Sequence, residues 1–476
     1  MPDATLDRTL LHFTAADWTL VACYFVLLLY LGIRGRWKKE EREADYILGG
    51  RMLTLPGFVA ALVTTWVWGI LGVGEFSYTY GLSNWLVFGA PYYVFALIFA
   101  FAFARKVRES GMSTIPDMFY HRYGRNSGIL GSVLVFLNSS PAPYTLMLAV
   151  LIQVVTGWPL VLSLIAGLIV SVVYVFIGGF RAVVRIDKLQ FLLMFLGFFM
   201  LLAHLIPEHG FLDFLARELP PGHLTATGGH SVQYIAVWFF IALWTLVSPQ
   251  FHQFTISARS PGTARSGIIL SVGFWFVLDG ITTFSGMYAR ALLPELGNAA
   301  MAYPLLADMV LPSVAKGLFF LGLLATVMST NDGLMFISGL TAGRDIVAKC
   351  TGKEDEVSLR RYVRIGVLLT AFLSGAGALV FPSVIELWYV IGTLFIPALL
   401  LPLTAAYYPR LLIRPALTFV AMAGGFILSL GWFLVAQTGV ATSDGRYPFD
   451  VEPMYIGLVF SAVVYLFGIG ERKRRG

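Results

Sequence analysis

Residues Leu323 to Phe336 read LLATVMSTNDGLMF, and within this apolar run two hydroxyls, a carboxamide and a carboxylate follow one another as Ser329, Thr330, Asn331 and Asp332. A polar side chain at bilayer depth must find partners inside the protein or do work there. The stretch is therefore either a buried helix of a membrane protein or no membrane helix at all, and the rest of the chain has to choose.

Composition chooses the membrane. The chain has 476 residues, 58% of them hydrophobic and 13% charged, with a mean hydropathy of +0.77. Soluble domains carry roughly 25% charged residues. A crossing needs about 20 apolar residues, and thirteen segments qualify: 18–33, 56–80, 84–104, 129–156, 158–178, 188–206, 233–250, 266–290, 313–340, 364–381, 384–406, 415–437 and 454–470. The expectation is an all-α polytopic membrane protein forming one domain over residues 1–476.

Charge orients it. With the N-terminus outside, the inner segments 34–51, 105–128, 179–188, 251–265, 341–364, 407–414 and 471–476 hold 28 of the 33 Lys and Arg residues. Basic residues gather on the cytoplasmic side of inserted helices, so the count predicts an integral plasma-membrane protein with its C-terminus in the cytoplasm. Asp3, Asp7 and Asp17 precede the first apolar run where a secretory signal would have basic residues, so that run reads as a retained helix. The net charge of +6 belongs to this topology and to contact with the lipid bilayer; it does not point to nucleic acid.

Enzyme chemistry finds no foothold. No His-Glu-x-x-His or Cys-x-x-Cys occurs, and Gly69, Gly72 and Gly74 lie inside an apolar helix instead of following a strand. Catalytic residues and cofactors are therefore not expected.

Two segments are interrupted. The second, GFVAALVTTWVWGILGVGEFSYTYGLS from Gly57, carries three glycines and then Glu75. The seventh contains WTLVSPQFHQF from Trp244, where Pro249 has no N–H to donate. Broken helices free backbone carbonyls for a cation and expose half-helix N-termini to a substrate. Span two against span seven is the spacing of a five-plus-five inverted repeat: 56–206, then 233–406, with 18–33 before them and 415–470 after.

The opening stretch then falls in the third helix of the second repeat. Thr326 lies one helical turn before Ser329 and Thr330, so the Thr326 carbonyl and the two hydroxyls offer three hard oxygen donors for sodium. The alternative is that each hydroxyl bonds back to the carbonyl one turn earlier. The residues alone leave both open.

Several ordered motifs resemble the sodium:solute symporters with their LeuT-type fold: ADYILGGRMLTLPGF from Ala44, TIPDMFYHRYG from Thr114, GGFRAVVRIDKLQ from Gly178, SPQFHQFTISARS from Ser248 and LGLLATVMSTNDGLMFISGLTAGRDI from Leu321. The resemblance implies a sodium site made by the carbonyls of Trp66, Gly69 and Thr326 with the hydroxyls of Ser329 and Thr330. It also implies that Asp187 and Asp332 lie on the ion route, unless they pair with inner-face arginines such as Arg185 or Arg344. One departure stands out. The family often has Arg after the Gln of its signature near the sixth core helix, where this chain has Phe254 after Gln253.

The function expected is sodium-coupled symport of a small polar organic solute by alternating access, with an amino acid or small carboxylate preferred and sugars and vitamins left open. The candidate solute contacts are Thr65, Trp68, Gly72, Glu75, Asn138, Tyr144, Trp244 and Gln250. Asp279, like Glu75, would instead suit an ammonium group. The rivals are proton coupling on the same fold and a transporter-like sensor.

Overall fold

The computed structural model describes residues 10–33, 43–65, 69–381, 383–437 and 447–475. Among these residues there is no β-strand, only an isolated bridge between Leu53 and Ala258. Eleven helices are long and apolar enough to cross a membrane, or twelve when a bent pair is counted as one span.

The helices that build the site are, in chain order, α1 (Ala15–Ile33), α2 (Leu55–Thr65), α3 (Ile70–Tyr80), α4 (Trp85–Glu109), α5 (Ile115–Asn138), α6 (Ala142–Thr156), α7 (Leu160–His209), α8 (Val232–Ile241), α9 (Pro249–Ser257), α10 (Pro261–Leu292), α11 (Ala315–Leu340), α12 (Glu356–Val380) and α13 (Val384–Tyr407). Two more follow, α14 (Pro415–Gln437) and α15 (Pro453–Arg475).

The difference from thirteen spans sits in α7. Its 50 residues would extend about 75 Å at ~1.5 Å per residue, more than twice the ~30 Å hydrocarbon thickness. Gly179 breaks it with φ 56° and ψ −154°, a backbone that side-chain-bearing residues rarely adopt. The expected segments 158–178 and 188–206 lie on either side of that break. A correction applies to the expected helix over 129–156. It is interrupted between Asn138 and Ala142, because Pro141 and Pro143 supply no N–H to continue the ladder.

Both interrupted spans are broken in the structure. The axes of α2 and α3 meet at 58°. In the seventh span α8 ends at Ile241, and Ser248 turns extended (φ −66°, ψ 121°) to cap α9 through its hydroxyl. The two spans meet end to start: Leu53 N–H donates to the Ser257 carbonyl at 3.1 Å, and Arg259 N–H to the Leu53 carbonyl at 3.0 Å. The entry into α2 thus touches the exit from α9.

Helix α11 is the buried axis of the bundle, with its widest contact against α7. Lipid tails are as apolar as leucine, so close packing of small residues does much of the joining. A Cβ on Gly322 of α11 would lie 2.8 Å from the Leu193 carbonyl oxygen of α7, and one on Gly366 of α12 would overlap the Gly339 carbonyl of α11.

Candidate functional site

Successive residues on a helix point about 100° apart, so the four polar residues of α11 point in different directions. The Ser329 hydroxyl donates to Asp187 Oδ1 of α7 at 2.7 Å. Thr330 Oγ1 lies 3.3 Å from the Thr64 carbonyl at the end of α2 and 3.4 Å from the Thr326 carbonyl. Asn331 binds two helices at once: its Oδ1 accepts from Thr145 of α6 at 2.9 Å and its Nδ2 donates to Ser171 of α7 at 3.1 Å. Asp332 is fully buried, and neither carboxylate oxygen makes a hydrogen bond of ordinary length.

The two readings of the hydroxyls therefore part company residue by residue. Thr326 bonds back, its hydroxyl donating to the Gly322 carbonyl at 2.8 Å. Ser329 does not; its hydroxyl goes to a carboxylate. Thr330 stands between a carbonyl of its own helix and one from the broken second span.

Oxygen atoms gather here from three helices: the Thr64 carbonyl from α2, the Thr326 carbonyl, Ser329 and Thr330 from α11, and Asp187 from α7. All are hard donors of the kind an alkali cation takes. Of the expected α2 and α3 carbonyls, Trp66 lies outside the described residues, and the Gly69 carbonyl accepts from Gly72 N–H at 2.7 Å and Val73 N–H at 3.1 Å. Gly69 is thus occupied in starting α3. Thr64 was missed by sequence reasoning, although a carbonyl in the last turn of a helix stopped short has no intrahelical donor.

Arg185 and Arg344 have other partners. Arg185 donates to the Leu31 carbonyl at 2.6 Å, and Arg344 pairs with Asp117 at 2.9 Å and Asp345 at 2.7 Å. Neither Asp187 nor Asp332 forms an ion pair among the described residues.

One turn along α11 from Thr330, Leu334 lines a small cavity with Asn138, Tyr144, Trp244, Ser248, Pro249 and Gln250. Four of the expected solute contacts meet there. Neither carboxamide atom of Asn138, nor Nε2 of Gln250, has a hydrogen-bond partner although both side chains are buried. Buried polar groups are nearly always paired, so such atoms facing a cavity mark a place for a ligand. The cavity also receives two helix starts, with Tyr144 in the first turn of α6 and Ser248 and Pro249 opening α9.

Thr65 and Gln250 meet over Gly333: a Cβ there would lie 3.5 Å from Thr65 Cγ2 and 3.0 Å from Gln250 Nε2. Gly72 packs beneath Trp388 of α13, and a Cβ on Gly69 would overlap that same ring. Trp388, whose ring centroid is 6.0 Å from that of Tyr144, was not singled out in the sequence, where it is one of several aromatics in its span with Tyr389, Phe395 and Tyr407.

Of the remaining expected contacts, those among the described residues do not line the cavity. Glu75 stands half-buried on α3 away from the lining residues, and Trp68 lies outside the described residues. Asp279 of α10 is half-buried and accepts from the Tyr93 hydroxyl, whose oxygen takes the Trp85 N–H at 3.2 Å. At the departure from the family motif, Phe254 is fully buried with its ring 5.6 Å from Phe180, and Gln253 donates to the Ile47 carbonyl at 2.8 Å.

Known proteins resemble both the sequence and the fold. The sodium/pantothenate symporter of Haemophilus influenzae is 25% identical over 91% of this chain and 92% of its own. The high-affinity choline transporter 1 of Caenorhabditis elegans is 25% identical over 95% of this chain and 85% of its own. Among solved structures, a sodium-coupled sialic acid symporter in a substrate-bound outward-open state superposes with a TM-score of 0.73 at 15% identity, over 96% of this chain and 97% of that one. Mhp1, a nucleobase-cation-symport-1 family transporter in a closed conformation, superposes with a TM-score of 0.56 at 15% identity, over 90% and 95%. These are LeuT-type transporters. Residues 46–418 match the sodium:solute symporter family, and with the broken spans and the buried polar helix already in view, the chain belongs to that family of membrane transporters.

Proposed function

We propose that the chain couples sodium entry to uptake of a small polar solute bearing a carboxylate, an amino acid or small organic acid, by alternating access. The observation that carries this reading is the pairing of unpartnered Asn138 and Gln250 groups with two helix N-termini around one cavity. Helix N-termini carry partial positive charge and favour anions. The lining holds no charged side chain, so a carboxylate meets no like charge there. The names of the relatives span an acid, a sugar and a cation, which leaves the lining to decide.

Sodium would be held by the Thr64 and Thr326 carbonyls with the hydroxyls of Ser329 and Thr330, joining α2 to α11. Thr65, the residue after Thr64, faces Gly333 and Gln250, so an ion that fixes the end of α2 also shapes the cavity. The repeat division into 56–206 and 233–406, with the N-terminus outside and the C-terminus in the cytoplasm, belongs to the same proposal. The contact of Leu53 with Ser257 and Arg259 supports it.

Buried Asp187 and Asp332 favour a second reading, proton coupling, since each would hold a proton as readily as it would attract a cation. Uptake of labelled amino acids and small carboxylates into proteoliposomes separates the two. A sodium gradient should drive uptake that a protonophore leaves intact. Uptake that needs no sodium and collapses with the pH gradient would establish the second.

A further inference from the structure

The basic face of the molecule also carries a groove that the transport reading does not use. It lies between α12 and the first arm of α7, has a volume of about 650 Å³, and is lined by Arg360, Arg361, Arg364, Ile365 and Leu368 with Phe176 opposite. We propose that this groove binds an anionic phospholipid, its phosphate against Arg361 and Arg364 and an acyl chain along α12.

Charge sets the headgroup end. Three guanidinium groups fall within five residues, and Glu356 at the rim offsets one of them. Neither Arg361 nor Arg364 forms an ion pair among the described residues. The Arg364 guanidinium sits 5.0 Å from the Phe176 ring centroid, and its Nε is enclosed without a hydrogen-bond partner. Other arginines of this face are engaged: Arg344 with two carboxylates, Arg414 with Glu471 and Arg122 with the Ala406 carbonyl.

The apolar end follows directly. From Arg361 the same stripe of α12 continues at three- and four-residue spacing through Ile365, Leu368 and Phe372, which are 52%, 50% and 72% exposed. A band of positive charge giving way within one turn to an exposed aliphatic track matches a phospholipid: phosphate at the boundary, chain in the hydrocarbon. A soluble anion would use only the upper half, and an acidic peptide would leave the lower half against lipid.

The test is native mass spectrometry of the purified full-length chain in neutral detergent, titrated with dioleoyl phosphatidylglycerol, with dioleoyl phosphatidylcholine, or with inorganic phosphate. Phosphatidylglycerol should be retained in preference to phosphatidylcholine. Each arginine near a membrane surface contributes about 1 kcal/mol, roughly fivefold in affinity. Arg361→Gln and Arg364→Gln should each weaken retention by roughly that factor and together by more, whereas Arg105→Gln, elsewhere on the same face, should not. Arg361 is exposed, so its single variant keeps the test open should the double variant fold poorly. Equal retention of the two lipids, phosphatidylglycerol retention unchanged in both single variants, or inorganic phosphate displacing the lipid at equal concentration would overturn the proposal.

Discussion

Asn331 is polar for a structural reason, whereas its neighbours Ser329 and Thr330 are the hydroxyls of the proposed sodium site. Its carboxamide satisfies Thr145 and Ser171 from two different helices, and removing one partner of a buried hydrogen bond leaves the other unpaired at about 1–3 kcal/mol. Asn331→Ala should accordingly lower the melting temperature while keeping the response to sodium. Gln250→Ala is expected to do the opposite. Its Nε2 has no protein partner to lose, so stability should hardly change while the KM for solute rises by tenfold or more, as measured by uptake into proteoliposomes. That four adjacent polar residues sit in a membrane helix is legible in the sequence. Which neighbour each one faces is not, because Thr145, Ser171 and Asp187 lie 142 to 186 residues away and only the fold brings them together.

The helix interruptions divide in the same manner. Gly69 and Pro249 announce themselves, one by lacking a side chain and the other by lacking an N–H, and both mark real breaks. Pro141 carries the same signal within NSSPAPY, but the apolar residues on both sides hid it inside a single expected span. Helix ends also carry an ionic contact that the sequence reading considered only as an alternative for Asp187 and Asp332. Arg344, just past α11, bridges Asp345 beside it and Asp117 at the start of α5, and Asp345 is fully buried. Breaking a buried pair by removing one partner strands the other charge, at about 3–5 kcal/mol. Arg344→Gln should therefore cost more stability than Arg344→Gln combined with Asp345→Asn, which removes the fully buried one of the two stranded charges; thermal melts of the two variants compare them directly.

The proposed alternating access requires the whole bundle to open and shut around the cavity, and the structure has the character of a shut state. The cavity between α5, α6, α9 and α11 has a volume of about 20 Å³, room for roughly one water molecule, and Trp388 lies across Gly69 and Gly72. A solute larger than water therefore needs the surrounding helices to move before it can enter. In the proposed mechanism Thr64 holds the ion and Thr65 meets Gly333 beside the cavity, so a movement of α2 would link sodium and solute affinities, each raising the other by the same factor. The most direct test is the melting temperature of the purified protein in sodium chloride against potassium chloride, for the wild type and for Ser329→Ala combined with Thr330→Ala. Sodium at ten times its dissociation constant should stabilise the wild type by about 1.4 kcal/mol, and the double variant should lose that increment. A transition that is the same in both salts at every concentration, or a sodium increment that survives in the double variant, would contradict an ion site built on α11.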